Sequence, residues 1–381
     1  MPNIRRTMMG AAGVASGPTG EAGALWMWGR GDLGSIGNSQ AIKVSSPVQV
    51  GSLTDWKAVG MWAYTVLAVK SDGTLWSWGN NNEGCCGLNI AGKVSSPTQV
   101  GSLTNWSKPG QGRVDPTLAI KTDGTLWCVG GGFGSGRQGL SGVSTTSLSS
   151  PVQIGSLTTW KKVVNGQAVY ALKTDGTIWV WGDGADGILG LGQSPSVDVS
   201  SPTQLGSLTT WTDVAASNRA GAAVKSDGTL WVWGHAGYGE LGNDQVAADA
   251  SSPIQLGSLT TWKAVFGTSQ GFRAIKTDGT MWSWGRGNFA GNHGDNNAIS
   301  RSSPVLVGGG TDWDYNYTAG VGGFNGNHLQ TDGSLWVWGY NNNGQLGLGT
   351  VVNYSSPVQL GTLKTWQSAG CDDAVSWGII S

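Results

Sequence analysis

The chain has few charged residues, few cysteines and histidines, and no long apolar run. Its 381 residues include 22 Lys and Arg against 23 Asp and Glu, which gives a formal net charge of −1. A chain this neutral offers no electrostatic reason to expect nucleic acid or an anionic membrane as a partner. Because no apolar stretch approaches the length that crosses a bilayer, we also expect no membrane insertion.

The four cysteines, Cys85, Cys86, Cys128 and Cys371, show no disulfide-framework spacing. We therefore predict scattered free thiols and a fold that does not depend on disulfides. No Cys/His combination has the spacing of a zinc site, and the Asn-rich loops lack the carboxylates of a calcium loop. The sequence predicts neither a metal nor a cofactor.

Residues that could support catalysis are scattered or repeated. The histidines, His235, His293 and His328, lie in different parts of the chain without a repeated carboxylate partner, and we expect solvated loop histidines. Six aspartates recur in Asp-Gly pairs, where Asp has a backbone role: Asp72, Asp123, Asp175, Asp227, Asp278 and Asp332. A general acid and base would be distinct and convergent, so we predict a protein that is not an enzyme.

Glycine and tryptophan are abundant, with 65 and 22 residues respectively, and they follow a repeat. An LWxWG element begins every 50 to 54 residues, at Leu25, Leu75, Leu126, Ile178, Leu230, Met281 and Leu335. Each is followed by an SSP element and then by GSLTxW or a variant of it. These elements contain every Trp except Trp62 and Trp377. Seven periods of about fifty residues indicate a repeat architecture.

Each repeat predicts four short antiparallel strands. The LWxWG segment alternates, an SPVQV-type strand follows, then a WKAV-type strand, then a strand that ends in an Asp-Gly hairpin turn. Seven such units predict an all-β fold, a seven-bladed β-propeller over residues 23–381. The chain starts in LWMWG and ends in AVSWGIIS (374–381), and each end lacks what the other supplies. We therefore expect one blade to be shared between the two termini, which removes exposed sheet edges.

The same residues resemble a known family. The segments WGYNNNGQLG (338–347) and WGHAGYGELG (233–242) look like the repeat of the regulator of chromosome condensation (RCC1) family, and the match covers residues 24 to 381. The resemblance also implies a seven-bladed propeller closed by strands from both termini. Members of that family include a chromatin-bound nucleotide exchange factor for a small GTPase and secreted bacterial proteins that inhibit β-lactamases by binding them.

Length variation predicts which face of the disc binds a partner. The SSP-to-Trp and Asp-Gly-to-Trp distances are constant, whereas the connections that follow LWxWG and those that follow the WKAV-type strand vary in length. Strand direction places both variable connections on one side, the loop face, and both constant turns on the other, the turn face. Pattern-breaking side chains in the variable connections are our candidate binding residues: Trp62, Tyr64, Phe133, Arg137, Tyr238, Phe289, His293, Tyr315, Tyr317 and Phe324.

The third repeat departs from the others, because KTDGTLWCVGG (121–131) has Val129 in place of the second Trp. The loop after it carries Phe133 and Arg137. Either Phe133 folds back to fill the missing volume, or the loop leaves a local dent in the binding face.

Residues 1–22 form a Gly/Ala/Ser-rich segment with Arg5, Arg6, Met8 and Met9, which we interpret as a flexible arm that docks into an assembly. The low charge, the near-identical repeats and this arm favour a bacteriophage particle protein, located in the virion with capsid or tail partners and a possible cell-surface ligand. One alternative is a bacterial protein-binding module of the inhibitor type, cytoplasmic or secreted. A second alternative is a small-GTPase exchange factor or chromatin adaptor.

Overall fold

The structure of the chain is a computed structural model that describes residues 23–62, 64–131, 134–142, 146–193, 197–246, 248–287, 290–316 and 322–381. In this part of the chain, strands β1 to β28 form seven sheets. First strands of neighbouring blades contact one another, which places them around a central channel. The predicted all-β, seven-bladed propeller is confirmed.

The strands follow the repeat. Blade 1 begins with β1 (Leu25–Gly29) and β2 (Val44–Gln49). Blade 2 contains β3 (Trp56–Trp62), β4 (Thr65–Lys70), β5 (Leu75–Gly79) and β6 (Val94–Gln99). Blade 3 contains β7 (Trp106–Pro109), β9 (Thr117–Lys121), β10 (Leu126–Gly130) and β11 (Leu148–Gln153), and the short β8 (Gln111–Gly112) pairs with the next blade. Blade 4 contains β12 (Trp160–Asn165), β13 (Ala168–Lys173), β14 (Ile178–Gly182) and β15 (Val199–Gln204), with a short 3-10 helix at Ala185–Gly187.

The remaining blades repeat this order. Blade 5 contains β16 (Trp211–Ala216), β17 (Ala220–Lys225), β18 (Leu230–Gly234) and β19 (Ala250–Gln255). Blade 6 contains β20 (Trp262–Thr268), β21 (Gly271–Lys276), β22 (Met281–Gly285) and β23 (Arg301–Leu306). Blade 7 contains β24 (Asn325–Leu329), β25 (Leu335–Gly339) and β26 (Tyr354–Gln359), and Trp313 adds an isolated bridge to Gln330. β27 (Trp366–Cys371) and β28 (Val375–Ile380) complete blade 1.

The ring closes through blade 1. β28 lies between β27 and β1, in a sheet of order β2-β1-β28-β27. The antiparallel register with β1 runs from Leu25 opposite Ile379 to Gly29 opposite Val375. The expected sharing of one blade between the two ends of the ring is therefore confirmed.

The second Trp of each LWxWG segment packs between blades. Each is buried, and its indole N–H donates to a backbone carbonyl in the preceding blade. The pairs are Trp28 to Gln345, Trp78 to Ser35, Trp181 to Arg137, Trp233 to Ile188, Trp284 to Glu240 and Trp338 to Asn292. The indole thus supplies both apolar area and a donor that satisfies a buried carbonyl.

Blade 3 satisfies the same carbonyl without an indole. Val129 is buried, and the carbonyl that an indole would contact there belongs to Cys85. The Thr117 hydroxyl, on the strand beside Val129, donates to that carbonyl oxygen at 2.9 Å. The methyl groups of Val129 also lie against Gly87 of the preceding blade. Phe133, which we expected to fill this volume or to leave a dent, lies outside the described residues.

The Asp-Gly turns hold neighbouring blades together, as their repetition predicts. Asp72 accepts hydrogen bonds from the backbone N–H and the hydroxyl of Thr74, and these bonds lower the pKa of its carboxyl. The Thr74 hydroxyl in turn accepts from the indole of Trp76. The carbonyl of Gly73 accepts from the backbone N–H of Trp106 in the next blade. The same contacts recur around the ring, so these aspartates are structural.

Candidate functional site

The two faces of the disc form as strand direction requires. Within each blade the hairpins are antiparallel, so the connections after the first and third strands share the loop face. The Asp-Gly and GSLT turns share the opposite face, where backbone hydrogen bonds link them. For example, the N–H of Ser226 donates to the carbonyl of Thr210.

Two of the predicted binding residues are buried, which corrects the expectation that they lie on the surface. The indole of Trp62 is fully buried and donates to the Asn165 side-chain oxygen of blade 4 at 2.7 Å. His293 is buried against blade 6, where its Nδ1 lies 2.8 Å from the Ser283 hydroxyl and its Nε2 lies 3.1 Å from the Gly285 carbonyl oxygen. Since a carbonyl oxygen only accepts, Nε2 carries the proton and Nδ1 accepts from Ser283.

The other predicted residues differ in exposure. Tyr238 is 41% exposed. Tyr64, Arg137 and Phe324 are half-buried. Tyr315 is also half-buried, but it lines a cavity that opens among the Asp-Gly and GSLT turns, which corrects its expected place on the loop face. The remaining predicted residues, Phe133, Phe289, Tyr317, Arg5, Arg6, Met8 and Met9, lie outside the described part of the chain.

Burial also corrects the expectation of solvated histidines for His328. Its Nε2 donates to the Asp314 carbonyl oxygen at 3.0 Å, and its ring packs edge-on against Phe266. Burial lowers the pKa of His328 to about 3 and that of His293 to about 4. Both imidazoles are therefore neutral and closed to solvent, and they serve as packed hydrogen-bonding groups.

These two histidines predict a loss of stability in acid. Because their folded-state pKa values lie below the unfolded value, their contribution is complete above pH 6.5 and is lost as pH falls toward 4. Each is expected to account for about 3 kcal/mol of the unfolding free energy over that interval. Urea unfolding at pH 4 to 8 measures this. Burial raises the pKa of Asp372 to about 6, so protonation of this carboxyl increases the free energy of unfolding as pH falls. Each variant is therefore compared with the parent protein at the same pH.

His293→Asn is expected to flatten the pH dependence of stability between 6.5 and 4, and to leave the interval from pH 7 to 8 unchanged. An unaltered slope between pH 6.5 and 4 would show that His293 already titrates freely in the folded protein.

A cleft on the loop face brings together aromatic side chains from separate blades. It has a volume of about 260 Å³ and is lined by Tyr64, Phe324, Tyr340, Asn343, Asp373 and Ala374. Tyr64 follows β3 of blade 2, Phe324 precedes β24 of blade 7, and Asp373 follows β27 of blade 1. Sequence reasoning identified Tyr64 and Phe324, and it missed Tyr340 and Asp373.

Ion pairs fix the sides of this cleft. The Arg113 guanidinium of blade 3 contacts both carboxylate oxygens of Asp373 at 2.7 Å. The Arg30 guanidinium binds Asp32 at 2.6 and 2.8 Å and lies 5.1 Å from the ring centre of Tyr64. Beneath them, the backbone N–H of Tyr64 donates to the buried carboxylate of Asp372. The Arg30 guanidinium, itself paired with Asp32, and the backbone bond to Asp372 hold the Tyr64 ring in place before any partner binds.

A second aromatic group lies elsewhere on the loop face. The exposed ring of Tyr238 is covered on one side by the Arg286 guanidinium, 4.5 Å from its centre. The carboxylate of Glu240 accepts from the backbone N–H of Tyr238 at 2.7 Å and lies 3.1 Å from Nδ1 of His235. This arrangement presents a rigid aromatic ring at the surface.

The described residues offer little support for catalysis. The Ser283 and His293 pair has the spacing of a nucleophile and a base, but both side chains are 1% exposed, so no substrate reaches them. The four cysteines are free and buried, and burial raises the pKa of Cys86 to about 11. No group of three or more His, Cys, Asp or Glu in the described part of the chain could hold a metal. In the same part, no helix is long and apolar enough to cross a membrane.

Comparison with known proteins identifies the repeat. The model of the regulator of chromosome condensation (RCC1) repeat matches residues 72–108, 175–224 and 332–374. The human E3 ubiquitin-protein ligase HERC2 is 33% identical over 183 residues, which are 45% of this chain and 4% of HERC2. The match thus spans a small part of that relative.

Solved structures show the same fold. Human WBSCR16 superposes with a TM-score of 0.82 at 19% identity, over 95% of this chain and 99% of its own. Prp20p from Saccharomyces cerevisiae superposes with a TM-score of 0.76 at 16% identity, over 94% of this chain and 92% of its own. The Prp20p structure is described together with its binding properties to Gsp1p and histones.

Proposed function

This chain is an RCC1-like seven-bladed propeller, and on that premise we propose that it is a non-catalytic regulatory protein that binds a protein partner through its loop face. The observation that carries the proposal is the cleft at Tyr64, Phe324 and Tyr340. Aromatic side chains held rigidly around a concave surface are the usual anchors of protein interfaces, because they bury a large area at low entropic cost.

Charged side chains beside the cleft form a polar rim around its aromatic residues. Asp373 is paired with Arg113, and Arg30 with Asp32, so each charge already has a partner in the free protein. Binding therefore requires little reorganisation of these side chains, and the rim contributes to orientation more than to affinity. The wall of the cleft comes from three blades of a closed ring, which fixes the spacing of the aromatic rings.

The comparisons favour the small-GTPase or chromatin alternative over a bacteriophage particle protein. Prp20p is described with Gsp1p and histones as binding partners, whereas none of the similar proteins reported above supports a capsid or tail assembly. We take a small GTPase in its nucleotide-free state as the first candidate partner. Histones form the second arm of the same experiment.

The test is a binding titration with a small GTPase under magnesium-free conditions, and in parallel with histones. Tyr340→Ala is expected to weaken binding of the true partner by about 30-fold, since a buried aromatic anchor contributes about 2 kcal/mol. The matched control is Leu259→Ala, which removes an exposed side chain from a GSLT turn on the opposite face. It should leave the affinity unchanged.

Two outcomes would overturn the proposal. Binding that Leu259→Ala weakens and Tyr340→Ala leaves intact would move the interface to the turn face. If the protein binds neither the small GTPase nor histones, both are excluded as its partners.

A further inference from the structure

The channel mouth on the turn face is lined by lysines. In six blades the first strand starts with a Trp on this side of the disc, and these strands surround the channel. At the two positions after that Trp, three neighbouring blades supply a run of four lysines: Lys57 of blade 2, Lys108 of blade 3, and Lys161 and Lys162 of blade 4. Blade 6 adds Lys263 at the position equivalent to Lys57 and Lys161.

A cavity of about 700 Å³ opens beside these lysines. Its wall includes Lys161, Lys162 and Lys263, and it extends inward to Phe266 and Tyr315. The hydroxyl-bearing residues Thr212, Ser226, Thr260 and Thr277 also line it. This volume lies within the range of small-molecule sites, and the combination of an aromatic end with a cationic, hydroxyl-rich mouth suits an anionic ligand.

The cavity lining has more lysines than carboxylates: Lys161, Lys162, Lys225 and Lys263 against Asp213 and Asp227. Asp213 binds the Lys162 ammonium at 2.6 Å through one oxygen and accepts from the backbone N–H of Val265 through the other. Asp227 accepts from the backbone and the hydroxyl of Thr229. These hydrogen bonds and the nearby charge of Lys225 lower the pKa of the Asp227 carboxyl. Lys161 and Lys263 make no ion pair with either carboxylate in the described part of the chain.

Within the described part of the chain, Lys57, Lys108 and Lys161 make no ion pair. Lys108 is half-buried, and its pKa is lowered first by burial and then by the charges of Lys162, Lys161 and Lys57. Positive charges that repel one another without a counter-charge cost folding energy, and a bound anion removes that cost.

We propose that the lysine-lined mouth of the channel binds a small polyanion that carries two or more phosphate or carboxylate groups. The anionic groups lie in the cavity between Lys161 and Lys263, and threonine hydroxyls donate to the same oxygens. The charges of Lys57 and Lys108 add to the positive potential beside the cavity. Ammonium groups act as point charges without a required geometry, which suits tetrahedral phosphate and planar carboxylate alike. This site is on the face opposite the proposed protein interface and does not depend on it.

The experiment is isothermal titration calorimetry of the full chain at low ionic strength with two probes, pyrophosphate and citrate. The structure predicts saturable binding of one anion per chain. A preference for pyrophosphate identifies a phosphate-bearing ligand, and a preference for citrate a polycarboxylate. Lys161→Met is expected to raise the dissociation constant of the preferred anion about tenfold, because one charge-assisted hydrogen bond is lost.

Matched variants distinguish binding at this site from non-specific attraction of anions to positive charge anywhere on the protein. Lys43→Met makes the same charge change on an exposed lysine of the loop face, and it should leave the affinity within twofold of the parent. Lys108→Met removes a charge beside the cavity and should weaken binding of the anion less than Lys161→Met does. It should not lower the thermal midpoint, because it removes a repelled charge. The absence of saturable binding for both probes would overturn the proposal, as would equal weakening by Lys43→Met and Lys161→Met.

Discussion

Replacing Trp233 by alanine is expected to lower the free energy of unfolding by about 4 kcal/mol. The ring is fully buried between blades 4 and 5, where it contacts Tyr170 edge-on with 5.5 Å between ring centres. Its indole N–H donates to the carbonyl of Ile188, which would be left without that donor. The loss therefore combines a large cavity with an unsatisfied buried acceptor. Urea unfolding followed by Trp fluorescence and far-UV circular dichroism measures it.

The matched control is Trp231→Ala, two residues away on the same strand. This ring lies on the same face of the strand but nearer the Asp-Gly turn, where its indole N–H donates to the Thr229 hydroxyl. It is half-buried and is covered by the Lys225 ammonium 3.8 Å from its centre. We expect less than half the effect of Trp233→Ala, because less area is buried. Equal losses for the two variants would contradict the assignment of the second Trp as the residue that joins blades.

Deleting residues 375–381 is expected to abolish the cooperative folded state. These residues contain β28, which lies between β27 and β1, so the deletion leaves both neighbouring strands without their partner. It also removes the buried side chains of Val375, Trp377 and Ile379 from the core of blade 1. An open ring exposes two sheet edges and the apolar faces of blades 2 and 7. Circular dichroism and thermal melting test this.

Removal of Ser381 alone is the control, since that residue is exposed and lies beyond the last strand. The control should melt within about 2 °C of the parent, because it removes no buried side chain and only the exposed hydrogen bonds from Ser381 to the Thr365 carbonyl. A chain without residues 375–381 that still melts in a single sharp transition near the parent temperature would show that blade 1 does not close the ring.

Periodicity predicted the fold because each unit is local. LWxWG, the Asp-Gly turn and the GSLT turn specify strands and hairpins within fifty residues, and the missing strand at each end specified the closure. The direction of the strands then fixed which connections share a face. These features need only the alternation of side chains and the geometry of tight turns.

The site was harder to predict because its contacts come from separate blades. His293 and Trp62 appear in the sequence as pattern-breaking loop residues, yet Ser283 and Asn165 give them buried hydrogen-bond partners. Tyr340 follows the LWxWG segment of blade 7 and was not recognised as part of a cleft.

The lysine-lined channel was also missed, because its residues occupy regular strand positions with constant spacing. Lys108 and Lys161 lie in different repeats, and only the closed ring brings their charges together. A comparison of the residues that follow each first-strand Trp could have found this asymmetry in the sequence.

Hydrogen–deuterium exchange of the protein with and without its bound partner tests the central claim, that the loop face holds a protein. We expect slower exchange at the backbone amides of Tyr64, Tyr340 and Asn343, and unchanged exchange at the Asp-Gly turns around Asp72 and Asp227. Protection confined to the Asp-Gly and GSLT turns, with none at the loop-face cleft, would contradict the account.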